Sequence, residues 1–433
     1  MKNRLKEYLT EQATVILAIM ASIAALIGII ALLLNPPQFQ NGETVSWWGI
    51  ALNLNRGYGY SLCNQYYFPF CDVAGPATAM REAAPVLLFA GVARLFHESL
   101  FAAGVMELLL YIGVMAAVFY LARDWKGPLA GLLAAFLWAI YPRAISLIPQ
   151  VSGDLLATLS VTVGILFVQR ARASDRARDW LSAGLGLGLA SLSRSVMLVV
   201  AVTIIVGVGI ERWGLRQRIV DWLRPSLLVA AMVASLLTPW LVRTEIVFGR
   251  PLVGSSLVGY NIYRQNYMLA SNDYFRNVGT DEGWTAIQAL LARRTDLSGH
   301  ENEAQMDAIY RQEGLGIIAA HPVHYVLLSG YRFFMLWFDW RVSEAFGYPM
   351  GFNEYAMAVA QAILMVLAFL GLRGNWKATW PLWASLVMVT LAYMAVNSRL
   401  HYIVPLMPLT MSLVAVSCDA RGTMLSGWVK RLR

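Results

Sequence analysis

The sequence predicts an all-α integral membrane protein, and three observations lead to this class. Of the 433 residues, 58% are hydrophobic and only 14% are charged, so the chain is far more apolar than an average soluble domain. Apolar runs of the length that a membrane helix needs recur along it. It also contains 15 Trp and 19 Tyr, side chains that favour membrane–water interfaces. A bilayer is therefore the expected solvent for most of the chain.

The apolar runs are candidate transmembrane helices, because a helix crosses the hydrocarbon core with about 20 apolar residues; we count about ten. The third to the sixth are short and would need a thinner bilayer or burial in a bundle. The first follows a basic N-terminus and resembles an uncleaved signal-anchor, since its apolar run is too long for a signal peptide. The segments are residues 14–34, 100–122, 128–140, 155–168, 181–193, 196–210, 226–241, 355–372, 378–396 and 403–416.

Basic residues cluster at the ends of these segments. The formal net charge is +8, but the sequence has no single basic stripe of the kind that binds nucleic acid, so no such partner is expected. Short loops rich in Lys and Arg belong to the cytoplasmic side. This rule predicts a multi-pass protein with cytoplasmic N- and C-termini, and the short loops and compact size favour a bacterial inner (plasma) membrane. The clusters are Arg170, Arg172, Arg176 and Arg178; Arg212, Arg216, Arg218 and Arg224; and Lys2, Arg4 and Lys6 with Lys430, Arg431 and Arg433.

Two long segments then lie outside the membrane. We expect an N-terminal transmembrane region over residues 1–242, with a first external loop at 35–99. An external loop region follows at 243–354, and a C-terminal transmembrane region at 355–433. Apolar stretches in the two loops predict amphipathic helices in the interface plane, near residues 46–54, 85–96 and 321–340.

Two cysteines, Cys63 and Cys71, share the first loop. An oxidising compartment permits a disulfide bond between them, but the sequence leaves their pairing open, since it does not show the geometry.

Common catalytic signatures are missing from the sequence. It has no P-loop, GxSxG, HExxH or paired CxxC motif, which argues against an ATP-driven pump and the common hydrolases. What remains are ionisable residues at the predicted external boundary, where charge is costly and therefore a functional candidate. They are Glu43, Asp72, Arg81, Glu82, Arg143, Asp154, Arg194, Arg243, Arg332, Arg399 and His401.

Several short stretches follow one another in a recognisable order. They are Gly42-Glu43 with Gly57-Tyr58-Gly59-Tyr60, Arg81-Glu82-Ala83-Ala84-Pro85, Gly188-Leu189-Ala190-Ser191-Leu192-Ser193-Arg194, Thr238-Pro239-Trp240-Leu241-Val242-Arg243, and Arg399-Leu400-His401-Tyr402-Ile403-Val404-Pro405-Leu406-Met407-Pro408. In this order they resemble the lipid-carrier-dependent glycosyltransferases of the GT-C fold, a superfamily that includes protein O-mannosyltransferases and the enzyme that adds aminoarabinose to lipid A. The chain departs from the family pattern at Glu43, where Asp is usual, and at Thr244, where Asn is usual.

The resemblance implies a GT-C fold of about ten spans with external amphipathic helices. It also implies transfer of a sugar from a polyprenyl-phosphate donor to a glycan, lipid or protein acceptor. Glu43 would be the catalytic base, and Glu82 and Asp154 second acidic positions for the acceptor or a metal. No cofactor is required, although some relatives use a divalent metal. The residues implied to bind the lipid phosphate are Arg243, Arg194, Arg399, His401 and Arg81.

These residue types suit the reaction. Arginine offers a planar fork to phosphate oxygens and stays charged near lipid, and a carboxylate on the opposite face of the sugar can accept the acceptor's proton. Structural explanations stay open: Glu43 as a helix N-cap, Arg81 with Glu82 as a surface pair, and Arg194 as a headgroup anchor. The main rival function is a polytopic transporter or flippase of a lipid-linked or small polar substrate, although the large one-sided loops disfavour it.

Overall fold

The computed structural model describes residues 11–39, 42–71, 76–213, 219–275, 278–341, 349–373 and 375–417. Within these ranges the chain is helical without a β-strand, and one isolated bridge joins Ser61 to Ala77. The predicted all-α class is confirmed. Some residues singled out above lie outside the described ranges; they are Lys2, Arg4, Lys6, Asp72, Arg216, Arg218, Lys430, Arg431 and Arg433.

The helices that overlap the ten apolar segments form one packed bundle. Seven helices in the described part of the chain are long and apolar enough to cross a membrane. Three that overlap predicted spans are shorter, with 12, 17 and 17 residues, so the count of ten stays a prediction. The bundle helices are α1 (Ala13–Leu34), α4 (Leu100–Lys126), α5 (Pro128–Ala139), α6 (Asp154–Ser174), α7 (Ala177–Ser193), α8 (Leu198–Trp213), α9 (Ile219–Phe248), α14 (Phe352–Leu372), α15 (Trp380–Val396) and α16 (Leu400–Ser417).

Small residues let neighbouring bundle helices approach closely. A Cβ atom at Gly186 of α7 would lie 2.7 Å from the Gly164 Cα atom of α6, and one at Gly131 of α5 would lie 2.7 Å from the Phe119 carbonyl oxygen of α4. Because lipid tails are as apolar as the helices, such close packing is a main source of helix association in a membrane.

The remaining longer helices lie in the two segments that are expected outside the membrane, and a four-residue helix, Pro142–Ile145, lies between α5 and α6. The first carries α2 (Gly42–Asn55) and α3 (Ala83–Leu95), and the second carries α10 (Val258–Asn266), α11 (Thr280–Arg293), α12 (Glu303–Ala320) and α13 (Pro322–Phe338). All three stretches expected to form amphipathic helices are therefore helical. In α2, however, Trp47 and Trp48 are buried against Val86 and Phe89 of α3. Protein, not lipid, covers this apolar face.

The two external segments pack together into one cap. Phe68 and Met80 of the first segment join Tyr260, Tyr263 and Tyr310 of the second in a buried aromatic cluster. A disulfide bond joins Cys63 to Cys71, with their Cα atoms 5.6 Å apart. The cap therefore holds the first external segment in a fixed position above the bundle.

Candidate active site

Glu43 lies in the first turn of α2, at the base of the cap. Its carboxylate accepts a hydrogen bond from the Trp47 indole at 3.1 Å and pairs with the Arg81 guanidinium at 3.2 Å, and 36% of its side chain stays exposed. Burial opposes ionisation, but the positive charges of Arg81 and Arg194 outweigh it and lower the pKa of Glu43 to about 2. Glu43 is therefore an ionised carboxylate with an open side.

The first turn of α2, which carries Glu43, also holds Arg81 in place. Its Nε atom donates to the Ser46 hydroxyl at 2.9 Å, and that hydroxyl donates to the Glu43 carbonyl oxygen at 2.9 Å. The guanidinium also lies 5.3 Å from the centre of the Trp47 ring, within cation–π range. One helical turn thus holds the carboxylate and the guanidinium side by side.

A buried ion pair lies beside them. Arg194 follows the last residue of α7 and donates to Asp154, the first residue of α6, at 2.6 Å. Only 13% and 3% of the two side chains are exposed. The helix ends meet closely because Gly153 has no side chain: a Cβ atom there would lie 2.6 Å from the Ser193 carbonyl oxygen. Arg194 is therefore positioned by the junction of two helices.

The start of α16 adds an imidazole and a further guanidinium. The His401 ring lies 4.3 Å from the Tyr402 ring, and the Arg194 guanidinium lies 5.7 Å from the same tyrosine. His401 is within electrostatic range of Arg194, Arg399 and Glu43. The beginning of the last bundle helix thus faces the group around Glu43.

A second part of the site surrounds Tyr60. The Arg243 guanidinium lies over the Tyr60 and Trp240 rings, at 4.7 and 5.1 Å, and donates to the Tyr60 carbonyl oxygen at 3.0 Å. The Tyr60 hydroxyl donates to the carbonyl oxygens of Arg81 and Glu82 at 2.9 and 3.1 Å. The Glu82 carboxylate accepts from the Ser195 amide at 2.9 Å. Tyr60 therefore connects Arg243 to the segment that carries Arg81 and Glu82.

Arg243 keeps one hydrogen-bonding group without a protein partner. Its Nη1 atom is buried and makes no hydrogen bond to the described residues. Buried donors are nearly always satisfied in folded proteins, so this atom lacks the partner that a buried donor usually has.

Sequence reasoning missed one acidic residue of the cap. Glu303 accepts hydrogen bonds from the Thr78 hydroxyl at 2.5 Å, the Ala79 amide at 2.7 Å and the Ser256 hydroxyl at 2.7 Å. Burial raises its pKa to about 7, against the opposing effect of these hydrogen bonds. Glu303 thus ties the two external segments together. The signal available in the sequence was the capping box of Asn302 and Gln305 at the start of α12.

The structure therefore brings most of the predicted residues into one region. Two of the boundary residues are bonded elsewhere: Arg143 pairs with Asp339, and Arg332 donates to the Gln265 carbonyl oxygen and the Asn266 side chain. Among the described residues, no group of three or more His, Cys, Asp and Glu side chains that could hold a metal ion is found. The residues gathered around Glu43 and Tyr60 are Arg81, Glu82, Asp154, Arg194, Arg243, Arg399 and His401.

Solved structures that align with this chain include archaeal and bacterial proteins. A crystal structure of an Archaeoglobus fulgidus oligosaccharyltransferase tethered to an acceptor peptide aligns with 98% of this chain and 51% of that chain, at 14% identity and a TM-score of 0.52. The oligosaccharyltransferase AglB of the same organism, in complex with an inhibitory peptide and a dolichol-phosphate, aligns with 96% and 52%, at 13% identity and 0.53. ArnT from Cupriavidus metallidurans bound to undecaprenyl phosphate aligns with 93% and 77%, at 11% identity and 0.42.

The chain spans about half the length of the archaeal structures that it matches. No curated protein sequence matches it. Residues 84–242 match the family model for dolichyl-phosphate-mannose-protein mannosyltransferase. This range contains the whole of the Gly188–Arg194 stretch and parts of the Arg81 and Thr238 stretches. The chain therefore shares the fold of these archaeal oligosaccharyltransferases over nearly its whole length, and residues 84–242 are similar to the dolichyl-phosphate-mannose-protein mannosyltransferase family.

Proposed function

We propose that the protein is an inverting glycosyltransferase that moves a sugar from a polyprenyl-phosphate carrier to an acceptor on the external, periplasmic face of the membrane. One observation carries the proposal: Glu43 is an ionised, partly open carboxylate held beside the guanidinium of Arg81 and near that of Arg194. A lipid phosphate needs cations, and the acceptor needs a base. The complex of archaeal AglB with a dolichol-phosphate supports a donor of this class.

The donor phosphate is assigned to the basic residues of the site, which are Arg243, Arg399 and His401 together with Arg81 and Arg194 beside Glu43. The Nη1 donor of Arg243 is buried and has no partner among the described residues, and the guanidinium lies within cation–π distance of the Tyr60 and Trp240 rings. Arg399 and His401 lie on the facing helix end. Bidentate hydrogen bonds from guanidinium groups would stabilise the charge that grows on the phosphate as the sugar leaves.

The transfer step uses Glu43 as general base. The bond between the sugar C1 atom and the phosphate oxygen breaks, and the polyprenyl phosphate keeps that electron pair. A new bond forms between C1 and the acceptor hydroxyl or amine on the opposite face, while the acceptor proton moves to the Glu43 carboxylate. Attack from the opposite face inverts the configuration at C1.

Donor binding strengthens this base. With a pKa of about 2, Glu43 is a weak proton acceptor at neutral pH. A phosphate that shares Arg81 and Arg194 would cancel part of the positive charge acting on Glu43 and raise its pKa. The base would therefore become effective only when the donor is in place.

The other acidic residues are assigned positioning roles. Asp154 orients Arg194 through the buried ion pair, and Glu82 fixes the backbone at Ser195. The division at 1–242, 243–354 and 355–433 and the placement in a bacterial inner membrane with both termini in the cytoplasm belong to this proposal.

The first test is to identify lipid that co-purifies with the detergent-solubilised protein. We expect a sugar-linked polyprenyl phosphate by mass spectrometry, lost when Arg243→Ala is purified in the same way. Arg56→Ala is the matched control, because Arg56 lies on the same external segment but pairs with Glu98 and is half exposed. Incubating the recovered lipid with wild type and an acceptor-containing membrane extract then measures transfer.

Two results would contradict the proposal. Only bulk phospholipid in every preparation, with no effect of Arg243→Ala, would remove the donor site. Donor binding with movement of the intact lipid across a vesicle membrane and no transfer of sugar would favour a flippase instead.

A further inference from the structure

A polar cavity of ≈ 430 Å³ lies at the end of the bundle opposite the candidate active site. It is bounded by the last residues of α4 and α6 and the residues before α15. Helix α6 begins at Asp154 in the candidate site and has Arg172 in its last turn, a separation of about 27 Å at the rise of an α-helix. This nearly equals the ~30 Å hydrocarbon core, so the cavity lies at the opposite membrane interface.

Tryptophan side chains mark this end of the bundle. Trp125 lines the cavity, the Trp380 indole bonds to Glu211 at 3.1 Å, and the Trp383 indole donates to the Trp376 carbonyl oxygen at 2.8 Å. Indole rings settle at the level of lipid headgroups. The cavity is therefore open to headgroups at the depth where they lie.

The lining carries a net positive charge. Glu211 and Arg172 neutralise each other through two hydrogen bonds of 3.0 and 2.5 Å. Lys126 also lines the cavity and makes no ion pair with a carboxylate in the ranges that the structure describes. The positive end of α15 adds to this charge, because the hydroxyl of its N-cap, Thr379, donates to the Asn375 carbonyl oxygen and leaves the helix end uncapped.

The lining also contains an acceptor that needs a donor. The Oε1 atom of Gln169 is buried and has no hydrogen-bond partner among the described residues. A ligand that joins a phosphate to hydroxyl groups would satisfy both features, with the phosphate at Lys126 and a hydroxyl at Gln169. A basic pocket between transmembrane helices is suited to an anionic lipid headgroup.

We infer that this cavity binds the headgroup of an anionic glycerophospholipid of the phosphatidylglycerol type. The site is separate from the proposed sugar transfer, and it stands or falls independently of that function. The acyl chains of the bound lipid would lie along the apolar surface of the bundle. They would keep the headgroup at the membrane interface.

The test measures lipid binding to the full chain by native mass spectrometry, with phosphatidylglycerol and phosphatidylcholine as probes. We expect preference for phosphatidylglycerol, and about fivefold weaker binding in Lys126→Gln, the effect of one surface-proximal lysine. Lys377→Gln is the control, because it removes the same charge at the same end but Lys377 lies over the Trp376 ring and does not line the cavity. It should keep wild-type binding.

A second variant separates the hydroxyl from the charge. Gln169→Leu should weaken the binding of phosphatidylglycerol but leave the binding of phosphatidic acid, which lacks the headgroup glycerol, unchanged. This variant also tests the inference if Lys126→Gln does not fold. Equal binding of both probes to wild type, or equal losses in Lys126→Gln and Lys377→Gln, would overturn the inference. Full displacement of the lipid by inorganic phosphate would assign the cavity to a free anion instead.

Discussion

Two carboxylates of the external cap show how the surroundings decide the charge of an acid. Glu43 and Glu303 both lie in the first turn of a helix, and both accept more than one polar contact. Glu43 faces the guanidinium of Arg81 and has a pKa of about 2. Glu303 receives its hydrogen bonds from neutral donors, and burial raises its pKa to about 7. Burial raises the pKa of both carboxyl groups, and at Glu43 the nearby positive charge outweighs that effect.

The difference suits two tasks. An ionised carboxylate with an exposed side can meet a substrate, as Glu43 is proposed to do. A buried carboxylate without an exposed side is better suited to holding segments together, and Glu303 binds Thr78 of the first external segment and Ser256 of the second. We expect changes at Glu43 to alter turnover and changes at Glu303 to alter stability.

The largest expected effect is on turnover. Glu43→Gln keeps the size of the side chain but removes the proton acceptor, so transfer should slow by about 10²–10⁴-fold, the contribution of a general base. Donor binding should persist, because the amide no longer competes with phosphate for Arg81. The measurement is sugar transfer in single-turnover conditions with bound donor quantified separately.

A control variant tests whether the loss of any nearby negative charge would slow turnover. Glu98→Gln removes a carboxylate of the same external segment that pairs with the exposed Arg56, and it should turn over like wild type. Full activity in Glu43→Gln would end the assignment of Glu43 as base.

The buried ion pair beneath Glu43 should dominate stability. Asp154→Ala would leave Arg194 buried without its partner, and breaking such a pair costs about 3–5 kcal/mol. The unfolding free energy in detergent is the readout. Asp296→Ala breaks an exposed pair with Arg294 and should cost at most about 1 kcal/mol; equal losses in the two variants would mean that Asp154 and Arg194 are not buried together.

The two acids should respond to pH in opposite directions. The folded-state pKa of Glu303 is raised from 4.5 to about 7, so its contribution to stability is full below pH 4.5 and is lost as pH rises through 7. The loss is on the order of 3 kcal/mol. The folded-state pKa of Glu43 is lowered from 4.5 to about 2, so its contribution is present above pH 4.5 and is lost only as pH falls through 2.

Thermal unfolding between pH 5 and pH 8 therefore isolates Glu303. Wild type should lose stability as pH rises, and Glu303→Gln should remove most of that slope because its amide does not titrate. Glu43→Gln should leave the slope unchanged. A wild-type protein whose unfolding midpoint is level across this range would contradict the raised pKa of Glu303.

The same comparison shows what the sequence could predict. Each apolar run from residue 14 to residue 416 overlaps a helix, because hydrophobicity and length are local properties that a bilayer enforces. Glu43 was recognised as a candidate because it lies within a short motif. Its pairing with Arg81, 38 positions along the chain, follows from the folding of α2 against α3 and cannot be read from spacing.

The contacts of Glu303 could not be predicted for the same reason. Its partners Thr78 and Ser256 are 225 and 47 positions away, and the residue lies in a polar stretch that resembles any solvated helix start. The burial of Trp47 and Trp48 was likewise missed, since an amphipathic helix looks the same in sequence whether lipid or α3 covers its apolar face. Contacts between distant segments are properties of packing.

The smallest expected effect is at Tyr60, which connects the region around Glu43 with the contacts of Glu303. Tyr60 donates its hydroxyl to the carbonyl oxygens of Arg81 and Glu82, and its own carbonyl oxygen accepts from the amide of Thr78, the residue that binds Glu303. Tyr60→Phe keeps the ring under Arg243 and removes only the hydroxyl, so stability should fall by about 0.5–1.5 kcal/mol. If the cap transmits strain between the regions, Tyr60→Phe and Glu303→Gln together should differ from the sum of the single changes by more than about 0.5 kcal/mol. A strictly additive double variant would mean that the hydrogen bonds of Glu303 and the region around Glu43 contribute to stability independently.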